Sequence, residues 1–524
     1  MTNFDHMLSG FASATEPQNL LFILIGSILG TIVGVLPGLG PSAGIALLLP
    51  LTFGMDPTAA LIMISAMYYG AMYGGSTTSI LINTPGESSS VMTTLDGYQM
   101  AKNGRAGAAL AVSAIGSFVA GTFSVIALSL LATPLARFGL KFGPVEYFSL
   151  MLFSMAAVSS LTGKSVAKGL LSMILGLMIA TIGIDLQSGS PRFAGSIPQL
   201  QDGISFLVIA VGMFAVSEVL VTFEEHVRGT APVLRIRGRL WLTAEEWRRS
   251  IMPIIRGTLI GFAKGVLPGP GATISTILSY GLERGLHKEK EKFGTGMIEG
   301  VAGPEAANNA AAGGAMVPLL TLGLPSGGTT AVLLGAFVMY GLQPGPLMMT
   351  RNPDVVWGLI DSMYLGNVML FILNLPLIFI FVRLLYIPTG ILLPLILIIA
   401  TIGVFSIDGS TLDLALVLGF GVVGYIFRKL SVPLAPMVLA VVLGKSLEQS
   451  FRQSITISGG DLGIFLSSTL SVIFLVLAVL MFVLPFAWSH REKLIPAAIG
   501  RKLSKTKPVS HSSLHNSGVT KNDA

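Results

Sequence analysis

The sequence predicts an all-α polytopic membrane protein of 10–14 transmembrane helices, arranged as inverted repeats with broken helices and re-entrant hairpins. Three observations predict it. First, 52% of the 524 residues are hydrophobic and 11% are charged, with a mean hydropathy of +0.78. A soluble domain carries about 25% charged residues, so little chain is left for one here. Second, many apolar stretches approach the roughly 20 residues needed to cross a bilayer. Third, one glycine–proline cluster occurs twice. Gly34-Val35-Leu36-Pro37-Gly38-Leu39-Gly40 returns as Gly265-Val266-Leu267-Pro268-Gly269-Pro270-Gly271, at a separation of 231 residues.

Each cluster lies inside an apolar stretch and is expected to break a helix. Proline removes an N–H and clashes with the preceding turn, and glycine adds backbone freedom. At membrane depth, broken backbone survives only when buried in protein or facing a wet cavity. Such breaks at matching places in two halves point to a transporter's binding site. Pro37, Gly38, Gly40, Pro268, Gly269 and Gly271 are therefore candidate substrate-site residues. The plainer alternative is a pair of tight turns between short helices, and the repetition favours the functional reading.

Taken in order, residues 1–19 form an N-terminal segment with Asp5 and Glu16 but no Lys or Arg, expected on the external side. It lacks the basic start of a signal peptide, so the first apolar run reads as a retained span. The first membrane half covers 20–223, with apolar stretches near 20–54, 58–82, 106–133, 145–162, 166–184 and 203–223. A linker, 224–251, carries Arg228, Arg235, Arg237, Arg239, Arg248 and Arg249 and is expected in the cytoplasm by the positive-inside rule. So is the short loop from Gly163 to Lys168. The second half covers 252–490. The tail, 491–524, is basic and rich in Ser, Lys and Asn, and is expected to be cytoplasmic and disordered. The first cluster is then entered from outside and the second from the cytoplasm, which makes the repeat inverted.

The repeat continues beyond the cluster. Gly74-Gly75-Ser76-Thr77-Thr78 leads to Asn83-Thr84-Pro85-Gly86 in the first half. Gly313-Gly314 leads to Pro325-Ser326-Gly327-Gly328 in the second, 239–240 residues further on. These turns precede new helices, whose free N–H groups and partial positive charge suit an anion. Ser76, Thr77, Asn83, Thr84, Pro85, Gly86 and Ser88 join the candidate substrate site, with Pro325, Ser326, Gly327 and Thr329. Ordinary capping by Ser and Thr remains the alternative for any one of them.

The most polar intramembrane stretch holds Glu305, Asn308 and Asn309, which share a helix face by their spacing of three and four. Such groups are costly in a membrane without partners, and their oxygens suit a hard cation. They are the candidate Na⁺ ligands. The alternative is that the asparagines bridge helices and Glu305 sits at an aqueous rim. Lys264 either counters substrate charge or snorkels to the interface, with snorkelling favoured.

Absences narrow the chemistry. No cysteine is present, which excludes disulfides and thiolate sites. The six histidines, His6, His226, His287, His490, His511 and His515, all fall outside the apolar stretches, so no Ser-His dyad or HExxH site is expected in the membrane, and no enzymatic activity. Gly163-Lys164-Ser165 has Val158 where a phosphate-binding loop needs glycine. No organic cofactor and no nucleic-acid partner is expected. The net charge of +6 reflects basic loops, and energy must come from an ion gradient or a partner chain.

The run Ala302-Gly303-Pro304-Glu305-Ala306-Ala307-Asn308-Asn309-Ala310-Ala311-Ala312-Gly313-Gly314, with the two GVLPG clusters, Tyr69 to Thr77, Asn83 to Gly86 and Ser458-Gly459-Gly460-Asp461, resembles the large transmembrane subunit of the tripartite tricarboxylate transporters over roughly residues 18–490. The resemblance implies a multi-pass protein of the bacterial inner membrane with an elevator-type mechanism. It implies two partners, a small four-helix membrane subunit and a periplasmic substrate-binding protein. It implies di- or tricarboxylate substrates, citrate among them, with Na⁺ or H⁺ as coupling ion. A stand-alone transporter or channel for another organic anion is the alternative.

Overall fold

A computed structural model describes residues 3–494, apart from 163–164, 186, 227–232, 235, 237 and 270. Arg228, Arg235 and Arg237 of the linker, Gly163 and Lys164, Pro270 of the second cluster and the tail beyond 494 thus lie outside the described residues. The rest is helical, apart from a two-residue antiparallel pairing of β1 (Gly183–Ile184) with β2 (Pro191–Arg192). Among the described residues, seven helices are long and apolar enough to cross a membrane, and four shorter apolar helices accompany them.

The first half opens with α1 (Asn3–Ala14) and α2 (Pro17–Val35), followed by the short α3 (Gly40–Leu48) and the long α4 (Pro57–Ile82). Leu36 is forced extended (φ −83°, ψ 115°) because the ring of Pro37 disfavours the helical region for the residue before it. Gly38 and Gly40 take positive φ, 90° and 54°, and α3 starts. At the end of α4, Asn83 is left-handed (φ 57°, ψ 25°), a conformation that Asn tolerates better than most residues. After this second break come α5 (Val91–Met100), α6 (Ala106–Gly139), α7 (Pro144–Leu161) and α8 (Val166–Ala180). The half closes with α9 (Phe206–Ala210), which continues through a π-helical stretch into α10 (Ser217–His226).

The second half repeats the plan. α11 (Ala244–Val266) ends at Leu267, extended (φ −88°, ψ 140°) before Pro268, and Gly269 takes φ 126° before α12 (Gly271–Leu286) begins. α13 (Glu299–Leu322) ends at left-handed Gly323 (φ 70°, ψ 25°), the counterpart of Asn83, and α14 (Gly328–Met339) follows. α15 (Pro346–Arg351), α16 (Pro353–Asn374), α17 (Ile378–Val382), α18 (Thr389–Asp408), α19 (Thr411–Lys429), α20 (Ala435–Ile457) and α21 (Thr469–Leu494) complete the chain. Apolar side chains such as Ile391, Leu395, Ile398 and Ile402 on α18 are exposed at helical spacing, as a lipid-facing stripe requires.

The centre is built on backbone contact. A Cβ on Gly26, Gly30 or Gly34 of α2 would fall 2.2–2.3 Å from the carbonyl oxygens of Met63, Met67 and Ala71 on α4. In the second half, a Cβ on Gly257, Gly261 or Gly265 would fall 2.2–2.3 Å from those of Gly303, Ala307 and Ala311 on α13. Numbers rise together in both series, so each pair is parallel. The two pairs oppose one another. Ser76 Oγ of α4 donates to Glu305 of α13, while the Tyr69 hydroxyl lies 2.9 Å from where a Cβ on Gly313 would be. As α4 advances, α13 recedes, so the repeat is inverted as the sequence predicts. α6 lies against α13, and Asp96 of α5 anchors the approach to α13 by accepting from the amides of Gly294, Gly296 and Met297 at 2.8–2.9 Å.

Gly261→Ala is expected to destabilise the protein by about 1–3 kcal/mol through overpacking. Gly281→Ala, whose Cβ meets nothing within 4 Å, should not. Unfolding midpoints of the two purified variants in a detergent titration compare them; equal midpoints would refute the role of the backbone contact.

Candidate functional site

The four breaks converge. The third is tied to the fourth by the Gly269 amide, which donates to the Ser326 carbonyl at 2.8 Å. Ser42 of α3 pairs with Thr329 of α14 through their hydroxyls at 2.9 Å. Thr273 of α12 pairs with Ser88 of the second break at 3.2 Å. Ser42 and Thr273 stand 231 residues apart and their partners 241 apart, so the two pairs are related by the repeat. Capping follows the same relation. Ser90 Oγ accepts from the Glu87 amide at 3.4 Å, and Thr330 Oγ1 accepts from the Gly327 amide at 2.9 Å.

Between the breaks lies a cavity of about 520 Å³, inside the ~300–1,000 Å³ usual for small-molecule sites. The starts of α3, α12 and α14 border it. Of the predicted substrate-site residues, Gly38, Gly40, Pro85, Gly86, Ser88, Gly269, Gly271, Ser326, Gly327 and Thr329 line it. Pro37, Pro268 and Pro325 sit in the breaks without forming its wall. Asn83 caps α4, and the Thr84 hydroxyl turns to the Ile82 carbonyl. Ser76 and Thr77 are buried within α4, Ser76 against Glu305.

Glu305, Asn308 and Asn309 are fully buried on α13, behind the cavity wall, and each engages a different neighbour. Glu305 accepts from Ser76 and from Thr93 of α5. Asn308 Nδ2 donates to Glu87 at 2.9 Å, and Glu87 is itself part of the cavity wall. Asn309 Nδ2 donates to Ser117 of α6 at 2.7 Å. The Oδ1 atoms of both asparagines have no hydrogen-bond partner, which leaves two buried acceptors able to face a cation. Among the described residues no group of three His, Cys, Asp or Glu side chains is assembled as a metal site.

Three charged residues of the wall were not among the predicted site residues: Glu87, next to Ser88, and a pair from outside the breaks. Glu218 of α10 and Arg428 of α19 line the cavity and form an ion pair. The signals were a lone carboxylate inside the apolar stretch 203–223 and an Arg-Lys pair directly after the apolar run 414–427 of the second half. Lys264 is not part of the wall.

Opposed repeats whose broken helices enclose a cavity are the plan of many membrane transporters. A profile of the tripartite tricarboxylate transporter TctA family matches residues 20–439, and the chain belongs to that family as its membrane component. An uncharacterised 52.8 kDa protein of the TAR-I ttuC' 3' region of Agrobacterium vitis is 45% identical over 487 residues, 92% of this chain and 97% of that one. An uncharacterised protein of the TAR-II ttuC' 3' region of the same organism is 42% identical over 233 residues, 44% of this chain and 96% of that one. No solved structure matches.

The convergence of the breaks is testable because the chain has no cysteine of its own. Paired substitutions Ser42→Cys with Thr329→Cys, and Ser88→Cys with Thr273→Cys, should each form a disulfide under mild oxidation, since the hydroxyls they replace already touch. The cross-matched pair Ser42→Cys with Ser88→Cys should not. Reactivity is read by loss of free-thiol labelling.

Proposed function

We propose that this chain is the large membrane subunit of a binding-protein-dependent tripartite transporter in the bacterial inner membrane. It takes up di- or tricarboxylates, citrate among them, coupled to Na⁺ or H⁺. It works with a small four-helix membrane subunit and a periplasmic binding protein that delivers the substrate. Family membership supports the assembly. The observation that carries the substrate class is the cavity enclosed by four helix breaks. Unpaired N–H groups at the starts of α3, α12 and α14 favour negative charge there, and the hydroxyls of Ser42, Ser88, Thr273 and Thr329 supply further donors. An acid held chiefly by dipoles and hydroxyls is also an acid that can be released.

Glu305, Asn308 and Asn309 are the proposed ion site. A buried carboxylate with hydroxyl donors but no neighbouring cation among the described residues demands a proton or a metal ion as partner, and the two free Asn Oδ1 atoms favour Na⁺. Uptake of labelled citrate or tartrate into proteoliposomes holding the chain with both partners tests the proposal. Accumulation should follow an imposed Na⁺ or pH gradient, and uptake indifferent to both would defeat ion coupling. Asn309→Ala should raise the Na⁺ concentration for half-maximal uptake roughly tenfold, the cost of one lost polar contact. An unchanged Na⁺ titration removes Asn309 from the site.

A further inference from the structure

Arg428 is the only cation in the cavity wall among the described residues. It stands at the end of α19, and its partner Glu218 comes from α10, with side-chain exposures of 30% and 6%. The Nη1 atom faces Glu218 Oε2, whereas Nε is buried without a hydrogen-bond partner. Nε is closed off, but the side chain is partly exposed and pairs through Nη1, so the rest of its planar fork stays open to a carboxylate. The other carboxylate oxygen, Glu218 Oε1, lies 3.0 Å from where a Cβ on Gly38 would be, so the pair reaches the first helix break. The next residue behaves differently. Lys429 pairs with Glu224 and is absent from the wall. Both pairs join α10 to α19, but one of them faces the cavity.

We propose that Arg428 receives one carboxylate of the transported acid, and that Glu218 is an internal stand-in that occupies Arg428 when no anion is bound. This rests on the reading of the cavity as the substrate site and adds a charged recognition element to it. Binding is then an exchange of one carboxylate for another on a single guanidinium. The exchange limits affinity, because the incoming acid must displace an ion pair already formed. It also selects against uncharged analogues, which cannot compete with Glu218 for Arg428.

Equilibrium binding of labelled citrate and tartrate to the purified full-length chain tests it, with the neutral diamide of tartaric acid as a competitor. Arg428→Gln should weaken binding about ten- to a hundredfold, as expected for a charge-assisted contact. Glu218→Gln should strengthen it several-fold, an outcome that a merely structural ion pair would not produce. Lys429→Gln should leave the affinity as it is, and the diamide should not compete. If Arg428→Gln fails to fold, Glu218→Gln still decides: weaker or unchanged binding overturns the stand-in. Wild-type binding restored by the swap Glu218→Arg with Arg428→Glu would assign the pair to holding α10 against α19 and overturn the proposal too. Thr329→Trp separates the two readings. If it abolishes binding while Arg428→Gln and Glu218→Gln change nothing, the cavity stands and the role of Arg428 falls. If binding survives Thr329→Trp as well, the cavity itself is not the site.

Discussion

Backbone laid on backbone is the constraint from which the rest of this structure follows. In lipid, helices gain little from burying apolar side chains, and association depends on close packing of small residues. α2 meets α4, and α11 meets α13, with glycine every fourth residue and a partner carbonyl where a side chain would be. Contacts this close fix the sliding position and rotation of each pair. The last glycine of each series, Gly34 and Gly265, is also the first residue of its GVLPG cluster. The close packing therefore runs up to the break and aims it. What the break frees is satisfied nearby: Thr78 of α4 donates its hydroxyl to the Val35 carbonyl at 2.7 Å, as a carbonyl lost from its helix demands away from water.

Duplication then doubles this unit and inversion brings the copies face to face. Each half contributes two breaks. The hydroxyl pairs Ser42–Thr329 and Ser88–Thr273 join the halves at equivalent points, so the cavity sits on the axis relating them. Symmetry supplies dipoles and hydroxyls from both sides, but it supplies no net positive charge. The one cation of the wall among the described residues, Arg428, comes from outside the repeated unit, from α19, and it arrives already paired with a carboxylate of α10. The division of labour is physically sensible. A symmetric shell of peptide groups would solvate an anion without choosing among anions, and in the proposal made above the Arg428 guanidinium sets where one carboxylate goes.

The breaks were legible in the sequence because proline and glycine act locally. Leu36 and Leu267 are extended for the same reason, and nothing distant is needed to foresee it. Inversion was legible from loop charge alone. The burial of α4 and α13 on nearly every side was not. With no polar face, hydropathy gives no indication of which residues of Ser76-Thr77-Thr78-Ser79 face the cavity and which face the helix packed behind it. Ser76 was expected at the substrate and lies instead against Glu305. Glu218 and Arg428 were missed because each is unremarkable in its own stretch: a carboxylate near the end of one apolar run, a basic residue closing another. Only the fold brings positions 210 residues apart to one cavity wall. Asp96 was hidden in the same way, since its partners are three backbone amides and the hydroxyl of Tyr280, all from the other half of the chain.

The position of Glu87 gives the last step. Its carboxylate belongs to the cavity wall and also accepts from Asn308, which with Asn309 and Glu305 forms the proposed ion site. One hydrogen bond thus separates the cavity proposed for the acid from the site proposed for the ion. Any binding event that shifts Glu87 must alter what Asn308 can offer behind it, and the reverse holds equally, because coupling between two sites is reciprocal. Two sites joined by a single polar contact need no long pathway to influence one another. The same proximity makes Glu87 costly to leave unpaired, being buried beside Ser89 and Asn308. A buried carboxylate held by donors on both sides has two ways to satisfy its charge, and Glu87 is such a group at the boundary between the cavity wall and Asn308.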